Sequence, residues 1–173
     1  FWNMLRGDGD RDREQGLFKK EQFLKLIKLI QYPKMNNPKI SLIAAVAKNL
    51  AIGRNNKLLY DIPEDLEMFR KTTAGHTVIM GKKTFESINS KPLPNRTNIV
   101  ITMKKDFEAP GCITVHTIED ALAKAGEIEK DEIFVIGGGA IYTQTLKYAD
   151  KLYITVIDDE PEVGKVLRDV LHL

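Results

Sequence analysis

Cysteine is almost missing from this chain of 173 residues: Cys112 stands alone, so neither an intrachain disulfide nor a cysteine metal cluster can form, and no metal site is expected. A reducing, cytoplasmic setting fits that usage. No apolar run approaches the ~20 residues that span a bilayer, and the start lacks the charged segment, apolar segment and small-residue cleavage site of a secretory signal. No membrane partner is therefore expected. An excess of one charge is lacking as well. Residues 1–34 carry eight Lys/Arg against five Asp/Glu, leaving 18 against 19 in residues 35–173. A nearly neutral body argues against a nucleic-acid binder, which must neutralise phosphates. What remains is an ordinary balance of 43% hydrophobic and 29% charged residues, enough for one domain with its own core.

The chain opens on Phe1, so its first residues are expected to be a fragment, a fusion or an upstream extension, with Met35 as a candidate start. Leu17 to Tyr32 places Phe23, Leu24, Ile27 and Ile30 at helical spacing among lysines, which predicts one amphipathic basic helix ended by Pro33. Packing of its apolar side on the same chain is the simplest expectation. Asp8, Asp10 and Asp12 imitate the start of a calcium loop, but Arg13 stands where that loop needs glycine and Lys19 where it needs glutamate. The expected division is an extension over 1–34 and a folded domain over 35–173.

From Ile40 onward short β-branched runs alternate with helical patterns. Ile40 to Ala47, Thr77 to Met80, Asn98 to Thr102, Ile113 to His116, Ile133 to Ile136 and Leu152 to Ile157 read as strands covered on both faces. Pro63 to Thr72, Lys83 to Asn89, Ile118 to Ala125 and Gly139 to Leu146 read as helices. The alternation predicts an α/β domain around a mainly parallel sheet flanked by helices, with its ligand crevice at the carboxyl ends of the strands.

Three clusters carry chemistry, the first two of them at such strand ends. Gly137-Gly138-Gly139 follows a strand and opens a helix, where glycine admits a close phosphate; the spacing is not that of the Rossmann fingerprint. Gly81-Lys82-Lys83-Thr84 repeats the arrangement with two cations and a hydroxyl, and Thr102 and Lys104 add another of each after the next strand. Together they favour a cofactor with an extra phosphate, NADPH over NADH. In Leu59 to Phe69, Pro63 suits a first helical position and Glu64 and Asp65 its first turn. Asp65 also lies three residues from Ile62 and four from Phe69, on their apolar stripe. A carboxyl group on such a stripe, in a cleft, marks acid–base work.

As a set these residues resemble dihydrofolate reductase. Ile40-Ser41-Leu42-Ile43-Ala44-Ala45, Ile52-Gly53 opening a mobile loop, Ile62-Pro63-Glu64-Asp65-Leu66, Val78 to Ile88, Pro92-Leu93-Pro94-Asn95-Arg96, Gly137 to Gly139 and Leu152-Tyr153-Ile154-Thr155 follow that family in order and approximate spacing. The resemblance runs from Ile40 to about Asp158. It implies NADPH-dependent reduction of 7,8-dihydrofolate to tetrahydrofolate, by an enzyme that is monomeric in the family. Asp65 matches the acidic residue of the pterin pocket, which promotes protonation of the ring nitrogen beside the hydride-accepting carbon, and Thr155 matches the threonine supporting it. Ala44, Leu66, Phe69, Ile88 and Leu93 match the substrate walls, and Arg96 matches the arginine that grips the glutamate tail. On the cofactor side the matching positions are Ala45, Ile52, Gly53, Gly81, Lys82, Lys83, Thr84, Thr102, Lys104, Ile136, Gly137, Gly138, Gly139, Ala140, Ile141 and Tyr142. A cis peptide is implied between Gly137 and Gly138.

Three departures from the family stand out. Tyr60 takes the place of a tryptophan beside the catalytic water, residues 1–34 have no counterpart, and the two strands that close the family's sheet are expected to be missing after Ile157. The last point implies an exposed edge along Leu152 to Ile157 and a tendency to self-associate. A pyrimidine reductase of riboflavin synthesis and a non-catalytic fragment are the alternative readings.

Overall fold

The β-branched runs become strands because side chains branched at Cβ pack well on a pleated surface covered from both sides. The computed structural model describes residues 37–49, 51–54, 57–58, 62–160 and 165–166. The predicted N-terminal extension, its amphipathic helix and Tyr60 lie outside the described residues. In chain order the elements are β1 (Lys39–Ala47), β2 (Ala51–Arg54), β3 (Lys57–Leu58), α1 (Pro63–Thr73), β4 (Thr77–Gly81), α2 (Lys82–Ser87), β5 (Thr97–Ile101), β6 (Ile113–Val115), α3 (Ile118–Ile128), β7 (Glu132–Gly137), α4 (Gly139–Thr145), a 3-10 turn at Leu146–Tyr148, β8 (Lys151–Ile157) and β9 (Lys165–Val166).

Six strands form one sheet in the order β6-β5-β4-β7-β1-β8, and every pairing in it is parallel. The chain leaves β1, passes over the place later filled by β7, and lays down β4, β5 and β6 before it returns. That reversal puts the topological switch around β7, between β4 and β1. A second sheet, in the order β3-β2-β9, is antiparallel. Here the structure corrects the reading of Ile52 and Gly53 as the opening of a loop: both lie in β2. Its partners are two residues each, too short to leave a periodic signal.

Alternate side chains of each strand go to opposite layers. Leu42, Ile79, Ile99, Ile133 and Val135 pack with Ile118, Ala121 and Ala125 of α3 and with Ile141 and Tyr142 of α4. Ile43, Val78, Met80, Val100 and Phe134 pack on the other side with Phe85 of α2, and with Met68 and Phe69 of α1. Burying one such large apolar side chain is worth about 1.5–3 kcal/mol, against about 0–1 kcal/mol for an exposed pair such as Lys71 to Glu67. The two apolar layers therefore hold the sheet, and surface pairs only trim it.

Local signals set the helix ends. Thr117 caps α3 by accepting from the Asp120 N–H at 3.0 Å, with Glu119 and Asp120 in the first turn. Pro63 begins α1, and acids in its first turn and Arg70 and Lys71 in its last turn complement the helix dipole. Strand β8 pairs with β1 over Ser41 to Ala47. Its other edge has no strand partner among the described residues, and Val156 there is 66% exposed.

Candidate active site

Strands β1 and β7 stay paired only from Lys39↔Glu132 to Leu42↔Val135. At the next residue the Tyr142 hydroxyl, from α4, donates to the Ile43 carbonyl at 2.6 Å. A buried carbonyl freed from the ladder is thus satisfied by a side chain, and the two strands part without leaving it unpaired. Burial pushes the Tyr142 phenol far above its ordinary value, so it stays a donor.

A cavity of about 620 Å³ opens at that end of the sheet. Ala44 and Ala45 of β1, Ile52 of β2, Asp65, Leu66 and Phe69 of α1, Thr84 of α2, Ile88, Leu93, Arg96, Ile136 of β7 and Tyr142 all line it, as the sequence predicts. Ile43, Ala51, Ile62, Met68, Arg70, Ser87, Pro94 and Ile157 line it too and were not singled out. For Met68 and Arg70 a signal existed: Met68 is three residues beyond Asp65 and Arg70 four beyond Leu66, which puts them beside the chosen face.

Asp65 is the only carboxylate among the described residues lining this apolar space. Its Oδ1 accepts from the Thr155 hydroxyl at 2.5 Å, so β8 fixes an acid carried by the first turn of α1. Thr155 itself reaches the site only through this bond. Across the cavity Arg96 is held on three sides. Its Nε donates to the Pro94 carbonyl at 3.0 Å, its Nη1 donates to the Thr73 hydroxyl at 2.8 Å, and its guanidinium lies 5.8 Å from the Phe69 ring centre. Asn98 braces the turn beneath it, accepting from the Leu93 N–H at 2.9 Å and donating to the carbonyls of Leu93 and Arg96 at 2.9 and 3.0 Å. Burial and then the neighbouring Arg70 lower the Arg96 pKa, though a guanidinium keeps its charge. The free Nη hydrogens form a planar fork suited to a carboxylate.

The glycine residues adjoin this space as a backbone cradle. A cis peptide joins Gly137 and Gly138, and Gly137 has a φ of +118°. A Cβ built on Gly138 would meet Thr84 Oγ1 at 3.3 Å, one on Gly139 would meet Ile52 Cδ1 at 3.4 Å, and one on Gly81 would meet Ile141 Cγ1 at 3.0 Å. Side chains at Gly81 and Gly138 would thus crowd Ile141 and Thr84, whereas one at Gly139 would make only an ordinary contact with Ile52. Ala140 is exposed at the start of α4, and Ile141 is buried behind it. Lys83 and Lys104 are exposed, whereas Lys82 pairs with Glu86 at 2.7 Å and lies 5.0 Å from the Phe107 ring centre. Thr102 is buried, its hydroxyl accepting from the Lys104 N–H at 3.2 Å. His116, which the sequence reading passed over, donates from Nδ1 to the Thr102 carbonyl at 2.8 Å. The described residues hold no cluster of metal-ligating side chains, and none of their helices is long and apolar enough to cross a membrane.

A family model described as dihydrofolate reductase matches residues 39–169. Among curated proteins, the dihydrofolate reductase of Bacillus subtilis (strain 168) is 49% identical over 123 residues, covering 71% of each chain. The dihydrofolate reductase of Neisseria gonorrhoeae is 47% identical over 120 residues, 69% of this chain and 73% of that one. The dihydrofolate reductase type 3 of Salmonella typhimurium is 43% identical over 134 residues, 78% and 81%. Among solved structures, dihydrofolate reductase from Enterococcus faecalis, complexed with NADP(H) and RAB-propyl, superposes with a TM-score of 0.69 at 33% identity over 75% of this chain and 76% of that one.

Proposed function

Since the chain belongs to the dihydrofolate reductase family, we infer that it catalyses the NADPH-dependent reduction of 7,8-dihydrofolate to 5,6,7,8-tetrahydrofolate. The observation that carries this reading is the lone carboxylate of Asp65, tied to Thr155 and set in an apolar cavity beside the glycine cradle. The family match sets aside the pyrimidine-reductase alternative.

The cradle fits a dinucleotide: Gly81, Gly137 and Gly138 let their backbone pack closely on Ile141, Tyr142 and Thr84, and the glycine turn that opens α4 would offer backbone N–H groups to a pyrophosphate. Lys82, Lys83, Thr84, Thr102 and Lys104 would hold the adenosine and phosphate side. Ala45, Ile52, Gly53, Ile136, Ala140, Ile141 and Tyr142 would hold or back the remainder. Bound NADPH supplies the hydride. Asp65 holds the amino group and a ring nitrogen of the pterin and promotes delivery of a proton to the nitrogen beside the accepting carbon. Thr155, by donating to Oδ1, fixes the carboxylate's orientation and leaves Oδ2 for the substrate. Ala44, Leu66, Phe69, Ile88 and Leu93 wall the rings and exclude water, so much of the rate comes from orientation in a dry site. Arg96 grips the glutamate tail.

We take the enzyme to act as a monomer in the cytoplasm, as the family resemblance implies. The test is loss of the reduced nicotinamide's near-ultraviolet absorbance when both NADPH and dihydrofolate are present, with tetrahydrofolate identified as product. Absence of turnover from a folded chain would refute the reading.

A further inference from the structure

The ion pairs of α1 and α2, each between residues four apart, run in opposite senses. In α1 Glu67 precedes Lys71, the order that a helix favours. In α2 Lys82 precedes Glu86, at 2.7 Å, so each charge sits at the end that the helix dipole disfavours. Helix energetics therefore leave this pair unexplained. It is also the more sheltered of the two, with the Lys82 side chain 24% exposed against 76% for Lys71.

Its surroundings tie it to the cofactor side of the site. The Lys82 ammonium lies 5.0 Å from the Phe107 ring centre, and that ring meets Phe85 edge-on at 6.4 Å. Phe107 belongs to the loop between β5 and β6, which begins with Thr102 and Lys104. There the Lys104 N–H donates to Thr102 Oγ1 at 3.2 Å, and the Phe107 N–H donates to the Lys104 carbonyl at 3.3 Å. Lys82 thus sits between α2 and the loop that carries the other phosphate-side residues. Lys83 and Lys104 are exposed and have no ion-pair partner among the described residues. Of the three lysines assigned to the phosphate side, Lys82 alone is neutralised by a neighbouring acid.

We propose that Glu86 is a specificity-determining residue for the cofactor: it is the resident counter-ion of Lys82 in the free enzyme, and the extra phosphate of NADPH must draw Lys82 away from it. The inference rests on the NADPH reading given above. A phosphate that gains Lys82 breaks an ion pair already made, so only the difference between the two contacts adds to affinity. The Glu86 carboxylate also repels the incoming phosphate. NADH has a hydroxyl at that place and meets neither effect. Glu86 therefore tempers the affinity for NADPH and its discrimination from NADH. It equally limits how tightly the oxidised product is held, since that product keeps the phosphate.

Isothermal titration with NADPH, NADH, adenosine 2′,5′-bisphosphate and adenosine 5′-monophosphate tests this on the parent, Glu86→Gln, Lys82→Gln and the double variant. Glu86 is exposed, so the amide leaves the core undisturbed. In Glu86→Gln, NADPH and the bisphosphate should bind about three- to tenfold more tightly, the range of one partly desolvated charge contact. NADH and the monophosphate should stay within about twofold, and the gain should narrow at high salt. Lys82→Gln should weaken NADPH, and in that background Glu86→Gln should change its affinity by less than about twofold, because the pair acts as a unit. Glu108→Gln removes an acid of the β5–β6 loop that has no ion-pair partner among the described residues, and it controls for net charge by leaving all four ligands within about twofold. Tightening of all four ligands alike, weaker NADPH in Glu86→Gln, the same gain in Glu108→Gln, or a gain undiminished without Lys82 would overturn the assignment of Glu86 while dihydrofolate reduction still stood. A parent that binds neither NADPH nor the bisphosphate would overturn the NADPH reading with it.

Discussion

Thr155 donates its hydroxyl proton to Oδ1 of Asp65 at 2.5 Å across 90 residues of chain, joining the edge strand β8 to the first turn of α1. This bond turns a helix-start acid into an oriented group. Asp65→Asn keeps the volume but cannot handle a proton, so turnover should fall by about 10²–10⁴-fold while NADPH binding stays within about threefold. Thr155→Val, which removes only the orienting bond, should lower kcat by about tenfold, the scale of a single charge-assisted hydrogen bond. Steady-state rates at pH 5 to 8 and fluorescence titration with NADPH check both. An Asp65→Asn enzyme within twofold of the parent would remove Asp65 from the mechanism.

Cofactor preference should follow the cations at the ends of β4 and β5. NADPH should bind at least about tenfold more tightly than NADH, a difference of about 1.4 kcal/mol, and the gap should close as salt is raised. Replacing Lys82, Lys83 and Lys104 together by Gln should bring the two cofactors within about threefold. Isothermal titration at two ionic strengths decides the matter, and equal affinities for the parent at low salt would contradict it.

Tyr142→Phe isolates the hydroxyl that satisfies Ile43 where β1 and β7 part. The variant leaves a buried carbonyl without its donor, at a cost of about 1–3 kcal/mol. Urea denaturation should report that loss. The cavity walls should loosen with it, so KM for dihydrofolate should rise. A variant as stable as the parent would mean that the carbonyl finds water instead.

The six strands of the large sheet and its four helices were legible because the strands are short continuous apolar runs and the segments between them carry helical patterns. The runs Val78 to Met80, Ile99 to Ile101 and Ile133 to Val135 are apolar throughout, as strands buried on both faces must be. Bounds differ by a few residues, as at α3, which continues to Ile128 where Ala125 was expected. The small sheet was not legible, since β3 and β9 have two residues each and exist only through pairing with β2. In the site, Asp65 was visible as an acid on an apolar stripe. Arg96 needed the family pattern, because nothing local foretells that Thr73 and Pro94 will hold it. Arg70 was passed over because a basic residue in a last helical turn has a sufficient local explanation in the helix dipole. Glu129 escaped for a similar reason: its partners come from β4 and the loop before β7, which no spacing reveals.

Glu129 leads to the last prediction, on acid stability. It follows α3 at the end of the sheet opposite the cavity. Its Oε2 accepts from the Thr77 N–H at 2.8 Å, and its Oε1 from the N–H groups of Lys130 and Asp131 at 3.0 and 3.1 Å. His76 Nδ1 lies 3.6 Å away, beyond hydrogen-bond reach, and is buried without a partner. Burial alone would raise the Glu129 pKa, but the three N–H donors and the imidazole outweigh it, and the net direction is down. A pKa lower in the folded than in the unfolded chain means that this carboxylate stabilises the fold above its ordinary value. That stabilisation is lost as pH falls through the lower, folded value. Glu129→Gln replaces one acceptor oxygen with an amide donor that must face a backbone N–H, so at pH 7 it should cost about 1–3 kcal/mol. Urea melts of parent and variant from pH 7 down to pH 3 should show that gap shrinking toward the acid end, as the parent loses what the variant never had. A gap absent at pH 7, or one that holds constant to pH 3, would show that the ionised carboxylate contributes no stability at this corner.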